Sequence, residues 1–135
     1  MKLIGVKFQG LTCFEQPAGF STDAPGLIAL VGRNGAGKTT ALEAVFGALY
    51  RQMPSYPGPL YDQVRGETGS IIATFMDDAG DVIRAEVRLN AKRRTSECFL
   101  TRRGEPVSTG KGRDYDEQVR RLFGSPELVL ASVFA

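Results

Sequence analysis

Apolar and polar positions change their period several times along this 135-residue chain, and each change marks an element. In Lys2–Phe8 (KLIGVKF), Ile4, Val6 and Phe8 fall on one side and Leu3, Gly5 and Lys7 on the other, the two-residue period of a strand. A short second strand is expected within Cys13–Ser21, interrupted by Pro17 and Gly19. Gly26–Gly32 (GLIALVG) is an unbroken apolar run after Pro25, the pattern of a strand buried on both faces of a parallel sheet. From Lys38 to about Arg51 the period becomes helical. Ala41, Val45 and Ala48, with Leu42, Phe46 and Leu49 beside them, form one broad apolar stripe that predicts an amphipathic helix against a sheet.

Residues 51–69 hold three prolines and three glycines, which predicts an irregular loop. Three strands follow, SIIATFM, DVIRAEVRL and SECFLTR, linked by DDAG, NAKRRT and RGEP. In the middle one Ile83, Ala85, Val87 and Leu89 face one way and Arg84, Glu86 and Arg88 the other, as in an antiparallel strand with one wet face. Asp114–Phe123 reads as a helix with Tyr115, Val119, Leu122 and Phe123 on one stripe, stopped by Gly124. Ser125-Pro126-Glu127 then starts another, with serine as cap and proline in the first turn. There is no internal repeat.

Composition adds limits. Hydrophobic residues at 42% and charged residues at 24% suit an ordinary globular domain. No apolar run approaches the length of a membrane span, and the N-terminus lacks the long apolar stretch of a signal peptide, so a cytoplasmic protein with no membrane partner is expected. Cys13 and Cys98 are far apart and histidine is absent, which leaves too few soft ligands for zinc. The net charge of +2 is uneven: nine Lys or Arg and three acids lie between Arg84 and Arg113, so that segment carries +6 and the rest −4. Such asymmetry suits a polyanionic partner, and it equally suits a solvated face.

The chemistry lies in LVGRNGAGKTT, Leu30–Thr40. Gly32, Gly37, Lys38 and Thr39 fit the phosphate-binding loop G-x-x-x-x-G-K-[ST]. The glycines let successive backbone NH groups point inward, the helix start adds partial positive charge, Lys38 reaches the outer phosphates, and the Thr39 hydroxyl can serve Mg²⁺. Arg33, Asn34, Gly35, Ala36, Gly37, Lys38, Thr39 and Thr40 are therefore the candidate ATP-binding residues, and Lys38 the candidate catalytic one. Hydrolysis needs more: an acidic residue on a second strand for Mg²⁺, and groups that orient water and neutralise charge. IIATFMDD is the nearest candidate for that strand. Thr74 interrupts it, and DDAGD turns directly into the next strand, so the aspartates read as turn formers.

GRNGAGKTT, with Asn34 and Gly35, resembles the G-x-N-G-x-G-K-[ST] loop of ABC-type ATPases of the SMC-like branch, which includes SMC proteins, RecF, RecN and the SbcC-type repair ATPases. The opening MKLIGVKFQGLTCFE resembles the N-terminal strand and turn of those heads; FGALY and ELVLASVFA resemble the SbcC subgroup, the latter the helix before the Q-loop. The resemblance implies an α/β P-loop NTPase fold, the N-terminal half of an ABC-type head, with an antiparallel β meander. Its parts would be 1–52 (strands, P-loop and helix), 53–68 (loop), 69–103 (meander) and 113–135 (helices leading to the Q-loop).

The resemblance also implies ATP and Mg²⁺ as cofactors and a role in DNA repair or recombination. The implied partners are the C-terminal lobe of the same head, a second head in an ATP-dependent dimer, a metallophosphoesterase nuclease subunit and DNA. The catalytic acid, signature motif and coiled coil of that family have no counterpart in these residues, so the chain alone is expected to hydrolyse ATP negligibly. A basic residue often follows the first strand in the family; here Gly10-Leu11-Thr12-Cys13 stands there, and Arg33 either replaces it or is solvated. Arg93, Arg94, Arg102 and Arg103 either contact DNA phosphates or protect strand edges in hairpin turns. Two rival readings are a small nucleotide kinase, which the meander disfavours, and a stand-alone nucleotide-sensing module.

Overall fold

The structure is a computed structural model that describes residues 2–11, 18–21, 35–53, 58–109 and 111–125. Its strands are β1 (Lys2–Gln9), β2 (Ala18–Ser21), β3 (Thr68–Met76), β4 (Val82–Asn90), β5 (Thr95–Arg102) and β6 (Glu105–Pro106). Two helices, α1 (Gly35–Tyr50) and α2 (Gly112–Phe123), and a 3₁₀ turn at Leu60–Gln63 complete the described elements. The strands form one sheet in the order β2-β1-β3-β4-β5-β6, and every pairing between them is antiparallel.

The alternation in β3, β4 and β5 sets the sheet's two faces. Ile71 lies opposite Val87, Ala73 opposite Ala85 and Phe75 opposite Ile83, and all six are buried. Cys98 and Leu100 extend that face onto β5, opposite Val87 and Ala85. The other face carries Ile72, Thr74, Arg84, Glu86, Arg88 and Phe99, with Met76 and Val82 left as exposed apolar residues at one end. The expected meander is thus present, with one addition: β6 folds back from RGEP onto the end of β5.

β1 departs from the simple alternation. Leu3 is buried with Val6 and Phe8, whereas Ile4 is only half-buried. The cause is a register shift between Leu3 and Gly5: Leu3 faces Phe75 and Gly5 faces Thr74, so Ile4 is the extra residue of a bulge. Such an insertion reverses the facing of every residue before it.

α1 also differs from its expected form. It begins at Gly35 rather than Lys38, because glycine and alanine enter a first helical turn without steric conflict, and the NH groups there need no intrahelical partner. From Glu43 to Leu49 it is buried on all sides, not along one stripe. The helix packs on β3, β1 and β4 and also meets α2, so no face of Glu43–Leu49 is left for water. Each fully buried Val45 or Leu49 contributes about 1.5–3 kcal/mol relative to exposure. The approach to the sheet is close at Gly47, where a Cβ would stand 2.7 Å from Ile71 Cδ1.

α2 follows its predicted stripe. Tyr115, Val119 and Phe123 are buried and the Phe123 ring meets Phe75 edge-on at 4.7 Å. It stops at Gly124, whose φ of +81° suits glycine and whose NH donates to Arg120 O. The expected parallel strand at 26–32, residues 13–17 of the expected second strand, and the helix from 126 onward lie outside the described residues.

Candidate nucleotide and polyanion sites

The phosphate-loop motif opens α1. Gly35, Ala36, Gly37 and Lys38 form the first turn and Thr39 and Thr40 continue it, whereas Arg33 and Asn34 lie outside the described residues. A helix beginning there directs unpaired backbone NH groups and the positive end of its dipole at whatever precedes it. A glycine-rich helix start followed at once by lysine and threonine fits a phosphate chain with a divalent cation. Glu43, only 5% exposed and five residues after Lys38, is a buried carboxylate that the apolar stripe gave no reason to expect.

The far end of α1 is fixed by α2. The Tyr115 hydroxyl donates to Ala48 O in a buried bond, and the Tyr50 hydroxyl donates to Gly124 O at 2.9 Å. Arg51, just past the helix at a left-handed φ of +54°, turns its guanidinium onto Asp116. Nε donates to Oδ1 at 3.2 Å and Nη2 to Oδ2. Burial pulls the Arg51 pKa down, but the hydrogen bond and charge of Asp116 outweigh it and leave it raised. Nearby, burial pushes the Cys98 thiol up, so this cysteine is an inert core residue. None of these contacts follows a sequence period, because each joins residues from distant elements.

The aspartates after β3 are turn formers. Asp77 Oδ1 accepts from the NH groups of Ala79 and Asp81, while the Asp77 NH donates to Asp81 O and the Asp77 carbonyl accepts from the Gly80 NH. No group of three or more metal-ligating residues exists among the described residues. These two acids also engage the arginines of the β5–β6 turn. Arg102 Nη2 lies 2.8 Å from Asp77 Oδ2 and 3.1 Å from Asp81 Oδ2, and Arg103 Nε lies 2.5 Å from Asp81 Oδ1. The Arg103 hydrogen bond is the main influence holding the Asp81 carboxyl below the usual range.

The four arginines therefore do not form one patch. Arg102 and Arg103 sit at one end of β5, with their charge compensated, and Arg93 and Arg94 precede its other end, about 25 Å away at strand rise. In that second turn Arg93 NH donates to Asn90 Oδ1 at 2.8 Å and Ala91 NH to Glu67 O at 2.9 Å. Arg94, at a φ of +56°, holds its guanidinium 5.7 Å from the centre of the Tyr61 ring. Lys92, Arg93 and Arg94 are exposed and no acid lies among them. On the open sheet face, Arg84 and Arg88 share Glu86, and Arg88 covers Phe99 at 4.8 Å, which offsets much of the charge there.

No helix among the described residues is long and apolar enough to cross a membrane. No curated protein matches the chain. The AAA domain family matches residues 6–127, which include the second half of β1, the other strands, the motif-bearing helix and α2. That span covers nearly the whole sequence, and the chain belongs to the AAA domain family, a P-loop ATPase family found in SMC-like proteins.

Proposed function

We propose that the chain is the ATP-binding N-terminal lobe of an SMC-like head of the SbcC type, which couples ATP binding and hydrolysis to DNA repair or recombination. The observation that carries this reading is the start of α1 at Gly35, with Lys38 in its first turn. In this reading the NH groups of Gly35–Thr40 cradle the phosphates and Lys38 neutralises the outer ones, while Thr39 supplies one Mg²⁺ ligand. Arg33 and Asn34 belong to the same sequence motif. ATP supplies the phosphoanhydride, and Mg²⁺ spreads its negative charge. The remaining catalytic groups would come from the C-terminal lobe of the head and from a second head, closed over the nucleotide because ATP prefers that state. A metallophosphoesterase nuclease is the expected enzymatic partner, and the cytoplasm the expected location.

DNA contact belongs to the same proposal. Among the described residues no carboxylate pairs with Lys92, Arg93 or Arg94, which supports phosphate contact at that turn, and the paired Arg102 and Arg103 contribute less. The test uses the full-length protein. A fluorescent ATP analogue binds the wild type with Mg²⁺ and loses at least about ten-fold in affinity in Lys38→Ala. Equal affinity in the two proteins overturns the nucleotide site. Absence of any salt-dependent affinity for duplex DNA overturns the DNA role.

A further inference from the structure

Next to the basic turn a cleft of about 610 Å³ opens between the end of α1, the 3₁₀ turn, the start of β5 and the end of α2. This is the size range of sites for small organic ligands. Tyr50, Arg51, Tyr61, Ser96, Asp116 and Arg120 line it. Asp116 and Arg51 satisfy each other, so they set the wall rather than its charge. Arg120 is exposed and pairs with no carboxylate among the described residues. Tyr61 belongs both to the cleft and to the basic turn, through Arg94. Positive charge thus runs from Lys92, Arg93 and Arg94 past Tyr61 to Arg120.

An aromatic wall continuous with arginines that pair with no carboxylate among the described residues suits a ligand with regularly spaced negative charge and exposed flat rings. Single-stranded nucleic acid has both, whereas a duplex hides its ring faces in the stack. We propose that this cleft receives an unpaired nucleotide at a DNA end, with the base against Tyr61 and its phosphates near Arg94 and Arg120. This rests on the reading that the basic turn holds DNA.

The experiment compares two probes with the full-length protein: a blunt duplex, and the same duplex bearing a short single-stranded tail. The wild type binds the tailed probe at least about five-fold more tightly, the lower range for one stacked base. Tyr61→Leu removes that preference. Tyr61→Phe keeps the preference, and Arg120→Gln reduces it. Thermal melting of each variant separates lost binding from lost folding. Equal wild-type affinity for the two probes overturns this inference alone, as does a preference that survives Tyr61→Leu. Binding of neither probe overturns the DNA reading and the inference together.

Discussion

Tyr115 and Ala48, 67 positions apart, are joined by a buried hydrogen bond from the phenol to the backbone carbonyl. The acceptor is in the last turn of α1, where carbonyls have no intrahelical donor, so the tyrosine acts as a cap supplied by another helix. Tyr115→Phe leaves that carbonyl buried and unsatisfied. A loss of about 1–3 kcal/mol is expected in urea unfolding.

The same phenol predicts an alkaline limb. Burial pushes its pKa well above the ordinary value. A group that holds its proton more tightly when folded contributes full stability below its unfolded pKa, about 10, and loses it as pH rises further. Melting temperatures above about pH 10 should therefore fall more steeply in the wild type than in Tyr115→Phe. Parallel curves would contradict this.

Gly10 and Gly66 both take left-handed φ values, +73° and +86°. A Cβ on Gly10 would lie 2.4 Å from Thr68 O, a backbone atom, whereas one on Gly66 meets nothing within 4 Å. Gly66→Ala is expected to cost about 1 kcal/mol from backbone strain alone. Gly10→Ala adds overpacking against β3 and should cost about 3 kcal/mol or more. Similar midpoint shifts in chemical denaturation would show that β3 yields easily.

The pairing of Asp81 with Arg103 and Arg102 predicts an acid limb of opposite sign. With its folded pKa depressed, Asp81 contributes stability above the unfolded value near 4 and loses it as pH falls lower. Asp81→Asn should flatten the fall of melting temperature below about pH 4, and high salt should reduce the difference. An unchanged slope would mean that the carboxylate contributes nothing measurable.

Under the proposed DNA role, the two arginine pairs should differ in what they contribute. Replacing Arg93 and Arg94 by alanine is expected to reduce the slope of log affinity against log salt by about 2, roughly one for each phosphate left without its arginine. The same change at Arg102 and Arg103 should leave the slope nearly intact, because their charge is already paired. Equal effects would place DNA across both ends of the sheet.

What the sequence conveyed depended on whether a residue's role was local. The alternation from Ile83 to Leu89 and the stripe of Tyr115, Val119 and Phe123 were readable because a strand or helix repeats its environment at a fixed period. The phosphate motif stands out because it is contiguous, and the structure adds that α1 begins within it. The bulge at Ile4 was not, since it depends on the register adopted with β3. Neither was the burial of Glu43–Leu49 on all sides, which reflects how many elements surround that part of α1, nor the meeting of Asp77 with Arg102, which requires two turns to lie side by side. Arg93 and Arg102 look equivalent as charges along the chain, and only their neighbours separate them.

The sheet order has a consequence for the way the chain assembles. β1 precedes the other described strands along the chain, yet its main neighbour is β3, with Lys2 opposite Met76 and Gln9 opposite Ser70. β3, β4 and β5, by contrast, are successive hairpins with short closures. Loop-closure entropy favours the near pairings first, so we expect the three-stranded meander to form early and the N-terminal strand to dock late. Pulse-labelled hydrogen exchange should find β4 amides protected before those of β1. On a ribosome, β1 could meet β2 at once, but its other edge would then wait without β3 until more than half of these residues had followed it.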